Sequence, residues 1–415
     1  MTPTRRSAVA LGAAALSFLF VDGRLGLLLM AGVLSAVLVD ALAVRSRPNL
    51  EVDLPALVPR GIRVEFRVAS QPGVAARHDL RLPTPPDLVA TPAEGVDRLA
   101  GSLVAHRRGA HRLEGVAVRR VGPLGLGGWL HAPQSGTNIV VFPDVVTARR
   151  LARAVATGRF QQQGQRRRGR RGLGTEFETI RDYAPDDDIR QVNWRATQRL
   201  GRPMSNQYRI DQDRDVICLI DVGRLMGAPV GRLTRLDVAV DAATAIAYTA
   251  DVLGDRAGVV AFDRKILRNL ASRRRGGEAV VQAIYDLEPT EEESDYEAAF
   301  RSVARHKRAL VVVFTDLLEE GASRPLVEAV PLLERTHQVI VAVCVDEDLV
   351  QAVGREPRVT DDVYRAAIAL EALAAKDRIV HRLRHVGASV VEAPASGLAG
   401  ACVAAYLEVK ALSRI

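Results

Sequence analysis

Two aspartates of this chain each close an apolar run. Asp221 follows Val216–Ile220, and Asp316 follows Leu310–Phe314 and Thr315. Runs of this kind read as strands buried on both faces of a parallel sheet, and ligands of such sheets bind beyond the carboxyl ends of the strands. Both carboxylates should therefore share one rim. A hard divalent ion such as Mg²⁺ wants that arrangement, taking a few oxygens and keeping several waters. A second concentration of reactive types lies upstream, from Gly174 to Thr197: Glu176, Glu178, Asp182, Asp186, Asp187 and Asp188 beside Arg181, Arg190 and Arg195, with Phe177, Tyr183 and Trp194 among them. Paired acids of the Glu176–Asp188 block could serve a hydrolase. The same mixture also suits a structural network of side-chain hydrogen bonds and ion pairs. Tyr183-Ala184-Pro185-Asp186 reads as a turn, and Ile189 to Arg195 as the start of a short helix capped by Asp186 to Asp188.

Other chemistry is poorly supported. The chain has no Gly-x-x-x-x-Gly-Lys-Ser/Thr, His-Glu-x-x-His or Gly-x-Ser-x-Gly. His381 and His385 stand four apart on a helix with no acid beside them, as expected of residues near a helix C-terminus. Gly122-Pro123-Leu124-Gly125-Leu126-Gly127-Gly128 lacks the ending and the following helix of a phosphate loop, and reads as a turn between strands. Cys218, Cys344 and Cys402 are far apart, each within an apolar run, and read as small buried hydrophobes in a reducing compartment. Arg166, Arg167, Arg168, Arg170 and Arg171 sit in a polar linker beginning at Gln161. That segment reads as a solvated loop, with contact to lipid headgroups or an acidic partner as the alternative. Nucleic-acid binding through it is a further reading, disfavoured because no recognition motif accompanies the charge.

The elements that must position these residues follow from length and patterning. A chain of 415 residues, 48% hydrophobic and 26% charged, has room for two or three domains. Aromatics are only 4%, so the cores are aliphatic, and the net charge of +8 suits a surface near anionic lipid or an acidic partner. Ser7–Val21 and Leu25–Val44 are apolar, the second containing one charge, Asp40, with the turn Asp22-Gly23-Arg24 between them. Residues 1–47 are thus expected to form a two-helix membrane hairpin. Arg5, Arg6, Arg45 and Arg47 outside the pair place both ends in the cytoplasm, in the inner membrane. Residues 48–146, with short alternating stretches and many prolines, predict a small antiparallel β-sandwich. Residues 147–214 hold a short helix, the basic loop and the acidic-aromatic block. Residues 215–415 alternate strand and helix, which predicts a doubly wound α/β domain.

The block at 174–197 resembles the signature of a bacterial family, the domain of unknown function 58. The matching residues are Gly174, Thr175, Glu176 and Phe177, then Arg181, Tyr183, Pro185 and Asp187, with Arg190 nearby, then Asn193 and Trp194. Asp186 stands where the family carries glycine. The resemblance runs from the hairpin to Tyr406-Leu407-Glu408-Val409-Lys410. It implies a von Willebrand factor type A-like fold for 215–415, with a metal-ion-dependent adhesion site at the rim. By that pattern Asp221 and Asp316 are metal ligands, with Ser294 or Asp295 as the loop donor. Gly223 and Arg224 replace the two serines that would follow Asp221. Two readings stay open: a degenerate Mg²⁺ site, or a guanidinium pair of Arg224 with Asp221 or Asp316 in the metal's place. With no catalytic motif in the chain, a binding module and not an enzyme is expected, and the resemblance implies what it binds. Its partners would be a MoxR-type AAA+ ATPase and membrane or envelope client proteins.

Overall fold

The computed structural model describes residues 1–20, 22–71, 76–160, 176–184, 192–209, 213–304 and 308–412, with backbone alone at 176–179 and 207–209. The chain divides into two compact units, 1–142 and 143–415.

The first unit begins with β1 (Thr2–Pro3), α1 (Arg5–Ser17) and α2 (Gly23–Ala43). Thr4 starts α1 with a capping box: its hydroxyl accepts from the Ser7 N–H, and the Ser7 hydroxyl accepts from the Thr4 N–H. Among the described residues α2 is the one helix long and apolar enough to cross a membrane. At 1.5 Å per residue its 21 residues reach about 32 Å, against a hydrocarbon core of about 30 Å. The 13 residues of α1 reach only about 20 Å, so the expected pair of spans is met on length by α2 alone. The strands that follow are β2 (Leu50–Asp53), β3 (Leu57–Pro59), β4 (Val64–Ser70), β5 (Arg77–Arg81), β6 (Leu88–Thr91), β7 (Glu94–Val96), β8 (Arg98–Ala105), β9 (Gly109–Leu113), β10 (Val116–Val121), β11 (Gly127–Gln134) and β12 (Thr137–Phe142). They form a nine-stranded sheet, β1-β11-β10-β5-β7-β8-β4-β2 with β6 on β8, and a three-stranded sheet, β3-β12-β9. Alternate residues of both sheets meet in one core, Phe66, Leu80 and Leu103 from the larger and Val58, Leu113 and Ile139 from the smaller. The expected sandwich is there, with one parallel pair, β3 on β12.

The glycine-rich turn between β10 and β11 holds the carboxylate of Asp40, in the last turn of α2. Asp40 is buried and accepts from the backbone N–H groups of Leu124, Leu126 and Gly127 at 2.9, 2.8 and 2.9 Å. The glycines make room for the helix: a Cβ at Gly127 would lie 2.4 Å from the Val37 carbonyl oxygen, and one at Gly122 would meet the Asp40 carboxylate.

The second unit opens with α3 (Val145–Ala156), then β13 (Glu176–Asp182), α4 (Trp194–Leu200) and β14 (Met204–Arg209). Next come β15 (Asp215–Asp221), the short hairpin β16 (Pro229–Val230) and β17 (Leu233–Thr234), α5 (Arg235–Leu253), β18 (Arg256–Phe262), β19 (Ile266–Arg274), α6 (Gly277–Ile284) and α7 (Tyr296–Val303). The unit ends with β20 (Ala309–Phe314), α8 (Glu320–Glu334), β21 (Gln338–Cys344), α9 (Glu347–Gly354), α10 (Thr360–His385), β22 (Ser389–Ala393) and α11 (Leu398–Ala411). The main sheet runs β19-β18-β15-β20-β21-β22, parallel except for the edge strand β19. Side chains alternate across β15: Val216, Cys218 and Ile220 join one core with α5 and α11, while Ile217 and Leu219 join another with α7, α8 and α10. The sheet is thus wound on both faces, as the alternation predicts. The helix α3, read from sequence as part of a linker, packs Ala148 against Ala245 of α5 and Val403 of α11. At the ends of the strands remote from the carboxyl rim, Asp255 accepts from Tyr406 and Lys410, tying α11 to the sheet.

Candidate functional site

The chain order reverses direction between β15 and β20, so the crevice between their carboxyl ends is the topological switch point of the sheet. Parallel register sets Ile220 beside Phe314, which brings Asp221 against Thr315. Asp221 and Asp316 are both buried, at 4% and 3% exposure. The rim read from sequence therefore exists, but its two carboxylates have separate partners.

Asp221 is surrounded by donors. Its Oδ1 accepts from the Gly223 N–H at 2.8 Å and from the Ser294 hydroxyl. Its Oδ2 accepts from the Tyr296 hydroxyl at 2.9 Å and from Thr315 Oγ1 at 2.7 Å. Burial, reinforced by the Asp221 charge, holds the Tyr296 phenol well above its ordinary pKa, so it remains a donor. A Cβ at Gly223 would lie 2.3 Å from the Ser294 hydroxyl oxygen. The glycine that removes a hydroxyl from the usual motif thus leaves the space in which Ser294 supplies one. Asp295 does not face Asp221; its side chain accepts from the Ala298 N–H at 2.9 Å and caps α7.

Asp316 faces a different cation from the one expected. Arg235, the first residue of α5, is 5% exposed and sets its guanidinium between Asp316 and Asp346, the latter at 3.0 Å. Asp346 also caps α9, accepting from the N–H groups of Asp348 and Leu349. Burial raises the Asp316 carboxyl above its ordinary pKa. Arg235 and the N–H groups of Leu317 and Leu318 pull it back, and Asp221 pushes it up. Arg224 pairs with neither rim aspartate. It reaches Glu319 at 3.0 Å and Glu293 at 4.0 Å, with its side chain 44% exposed. The expectation of an Arg224 pair with Asp221 or Asp316 is corrected accordingly: a guanidinium does enter the rim, but it comes from α5. Arg224 instead lines the wall of a cleft of about 80 Å³ with Asp221, Glu292, Ser294, Tyr296 and Gly321.

This donor set does not fit a hard divalent ion. Mg²⁺ needs near-octahedral oxygen ligands with lone pairs to give. The Asp221 oxygens already accept four hydrogen bonds, Asp316 is balanced by Arg235, and Asp295 is turned to its helix. Sequence reasoning missed Arg235, Tyr296, Thr315 and Asp346 as members of the rim. Asp346 carried the same signal as the other two aspartates, an acid directly after an apolar strand.

The signature block forms a separate group. β13 pairs antiparallel with β14, and α4 lies between them in sequence. Among the described residues the helix starts at Trp194; the expected start at Ile189 and the capping residues Asp186 to Asp188 lie outside them. Its cap is Asn193, whose Oδ1 accepts from the Ala196 N–H at 2.9 Å while Nδ2 donates to Asn206 at 2.8 Å. Trp194 is 66% exposed. Arg181 donates to the Asp182 carbonyl, Asp182 pairs with Arg202 at 3.1 Å, and the Tyr183 N–H donates to the Pro203 carbonyl. Gly174, Thr175, Pro185, Asp187 and Arg190 lie outside the described residues, as do the Glu176 and Phe177 side chains and the basic loop at Arg166–Arg171.

Residues 179–357 match the family model described as protein of unknown function DUF58. Uncharacterized proteins of Mycobacterium tuberculosis strain H37Rv and of Mycobacterium bovis are similar to the chain, 25% identical over 219 residues, covering 48% of this chain and 69% of theirs. The matched segment takes in most of the signature block, the rim and five of the six strands of the main sheet. Over residues 179–357 the chain carries a domain of the DUF58 family.

Proposed function

We propose that this protein is a membrane-anchored interaction module, with residues 215–415 forming a von Willebrand factor type A-like domain that docks a protein partner at the rim. It acts by binding, together with a MoxR-type AAA+ ATPase, in the assembly or maturation of membrane or envelope proteins. The carrying observation is the state of Asp221. It sits at the switch point, where such sheets bind ligands, yet it is held by four donors of the protein itself. A carboxylate so engaged shapes a surface and is poorly placed to move protons. The cleft beside it presents Arg224, Glu292 and Glu293 to solvent, a charged edge suited to a polar partner surface.

The anchor is α2, with α1 folded back beside it as a hairpin whose two outer ends face the cytoplasm. Support comes from one loop. The Thr4 hydroxyl at the start of α1 donates to the Gly125 carbonyl at 2.7 Å, and Asp40 at the end of α2 accepts from the same turn, so those two ends lie on one side.

The test is affinity purification of the tagged full chain from native-host membranes with a non-hydrolysable ATP analogue. A MoxR-type ATPase should be enriched, and Arg224→Glu, at the exposed cleft wall, should lower its recovery about tenfold, the order expected for a charge reversal at an interface. Recovery of no ATPase with wild-type protein under these conditions would sink the proposal.

A further inference from the structure

We infer that the edge of the first unit at β1, β11 and β10 is a docking surface for an anionic phospholipid bilayer. The inference rests on reading α2 as a membrane span. Three stretches of chain converge there: residues 1–6, 44–48 and 122–130. β1 pairs with β11 through Thr2 and Gly128, the Thr4 hydroxyl donates to Gly125, and Asp40 is clasped by the turn at 122–127. Together these stretches carry four arginines, Arg5, Arg6, Arg45 and Arg47, and no acid. All four are exposed. Arg6 lies against the turn, its Nη1 3.0 Å from where a Cβ of Gly125 would be. Arg45 stacks over Trp129 at 5.7 Å, and Leu124 at the tip of the turn is 58% exposed.

Charge and continuity both single out a bilayer as the occupant. The arginines surround the point where α2 meets the sheet, so a helix crossing the membrane brings them to headgroup level. The nearest acid within the clasp, Asp40, is buried and spent on three backbone N–H groups, which leaves the outward face cationic. Tryptophan at the water boundary and clustered arginines beside a span are the features by which protein surfaces hold anionic leaflets. The three-donor clasp also fixes the face at one height and tilt relative to α2, which a free juxtamembrane tail could not do.

The experiment uses the full chain with Trp194→Phe, or Trp194→Tyr should the first fail to fold. Trp129 is then the remaining tryptophan of the two in the chain. The protein is reconstituted into mixed phosphatidylcholine–phosphatidylglycerol vesicles with brominated chains on one lipid or the other. At equal mole fraction, brominated phosphatidylglycerol should quench Trp129 about twofold more than brominated phosphatidylcholine, from enrichment of the anionic lipid around the arginines. Raising salt to about 0.5 M, where the screening length falls to a few ångströms, should remove the excess, as should Arg45→Gln with Arg47→Gln. Equal quenching by the two lipids at low salt would overturn the inference while leaving α2 a span. Quenching by neither would overturn both.

Discussion

Arg235 is the residue on which the rim depends. It is buried at the N-terminal end of α5, where a cation gains nothing from the helix dipole, and two carboxylates hold it there. Its Nε has no hydrogen-bond partner among the described residues, so charge and not a complete set of hydrogen bonds keeps it in place. Removing one partner of a buried ion pair leaves the other charge stranded, which costs about 3–5 kcal/mol. Arg235→Met should therefore lower unfolding stability by about that amount, read as a fall in the urea midpoint of the full chain. The loss should depend on pH. Asp316 already has a raised pKa, and Arg235 is the chief group lowering it, so the variant raises it further. A carboxyl with a higher pKa folded than unfolded destabilises fully above its folded pKa, and the penalty fades as pH falls toward the unfolded value. The stability gap between variant and wild type should be widest near neutrality and narrow in acid. A gap that widens in acid, or a midpoint unchanged at neutral pH, would remove Arg235 from this role.

Elements differ in how far the sequence reveals them. The strands β15, β18, β20 and β21 are continuous apolar runs bounded by turns, and their alternation with helices makes the wound sheet legible. β19 escapes because its exposed edge face carries Arg268, Arg273 and Arg274 and shows no clean alternation. The start of α8 is hidden in the sequence, because Pro325 and Pro331 lie inside a helix that runs from Glu320. Of the site, strand-ending acids are legible, whereas Arg235 is not: nothing in a single sequence links the first residue of α5 to an acid 81 positions away. The glycine-rich turn at 122–127 is legible as a turn but not as the seat of Asp40, which is a long-range pairing. That pairing makes its own prediction. Asp40→Ala strands three N–H groups, each costing about 1–3 kcal/mol if left unpaired. Amide hydrogen exchange at Leu124, Leu126 and Gly127, measured on the full chain in detergent micelles, should accelerate at least about tenfold, the equivalent of about 1.4 kcal/mol of local stability. Unchanged protection at these three amides would show that the clasp contributes nothing to holding α2.

The whole molecule is built from two units with different chemistry at their surfaces, one arginine-rich about the end of the long apolar helix α2, the other wound about an aliphatic sheet. The three cysteines report on the second unit as a body. Cys218, Cys344 and Cys402 are free and belong to the same core, on the face of the sheet covered by α5 and α11. Burial pushes the Cys218 thiol up to about 12 and that of Cys344 up to about 11, and raises Cys402 as well. Little thiolate is present at neutral pH, and a reagent reaches these sulfurs only when the core opens. If that core is one cooperative body, labelling of native full-length protein by a maleimide should be slow at all three positions. All three should then accelerate together across the urea transition, at the midpoint reported by circular dichroism. Cys344 ends β21 beside the rim and is the most exposed of the three, at 8%, so it is the position where independence would first be seen. Mass-spectrometric mapping that found Cys344 labelled well below the common midpoint would divide the rim from the core. Coincident labelling of all three would join the rim and its ion pair to the same folding unit as the sheet.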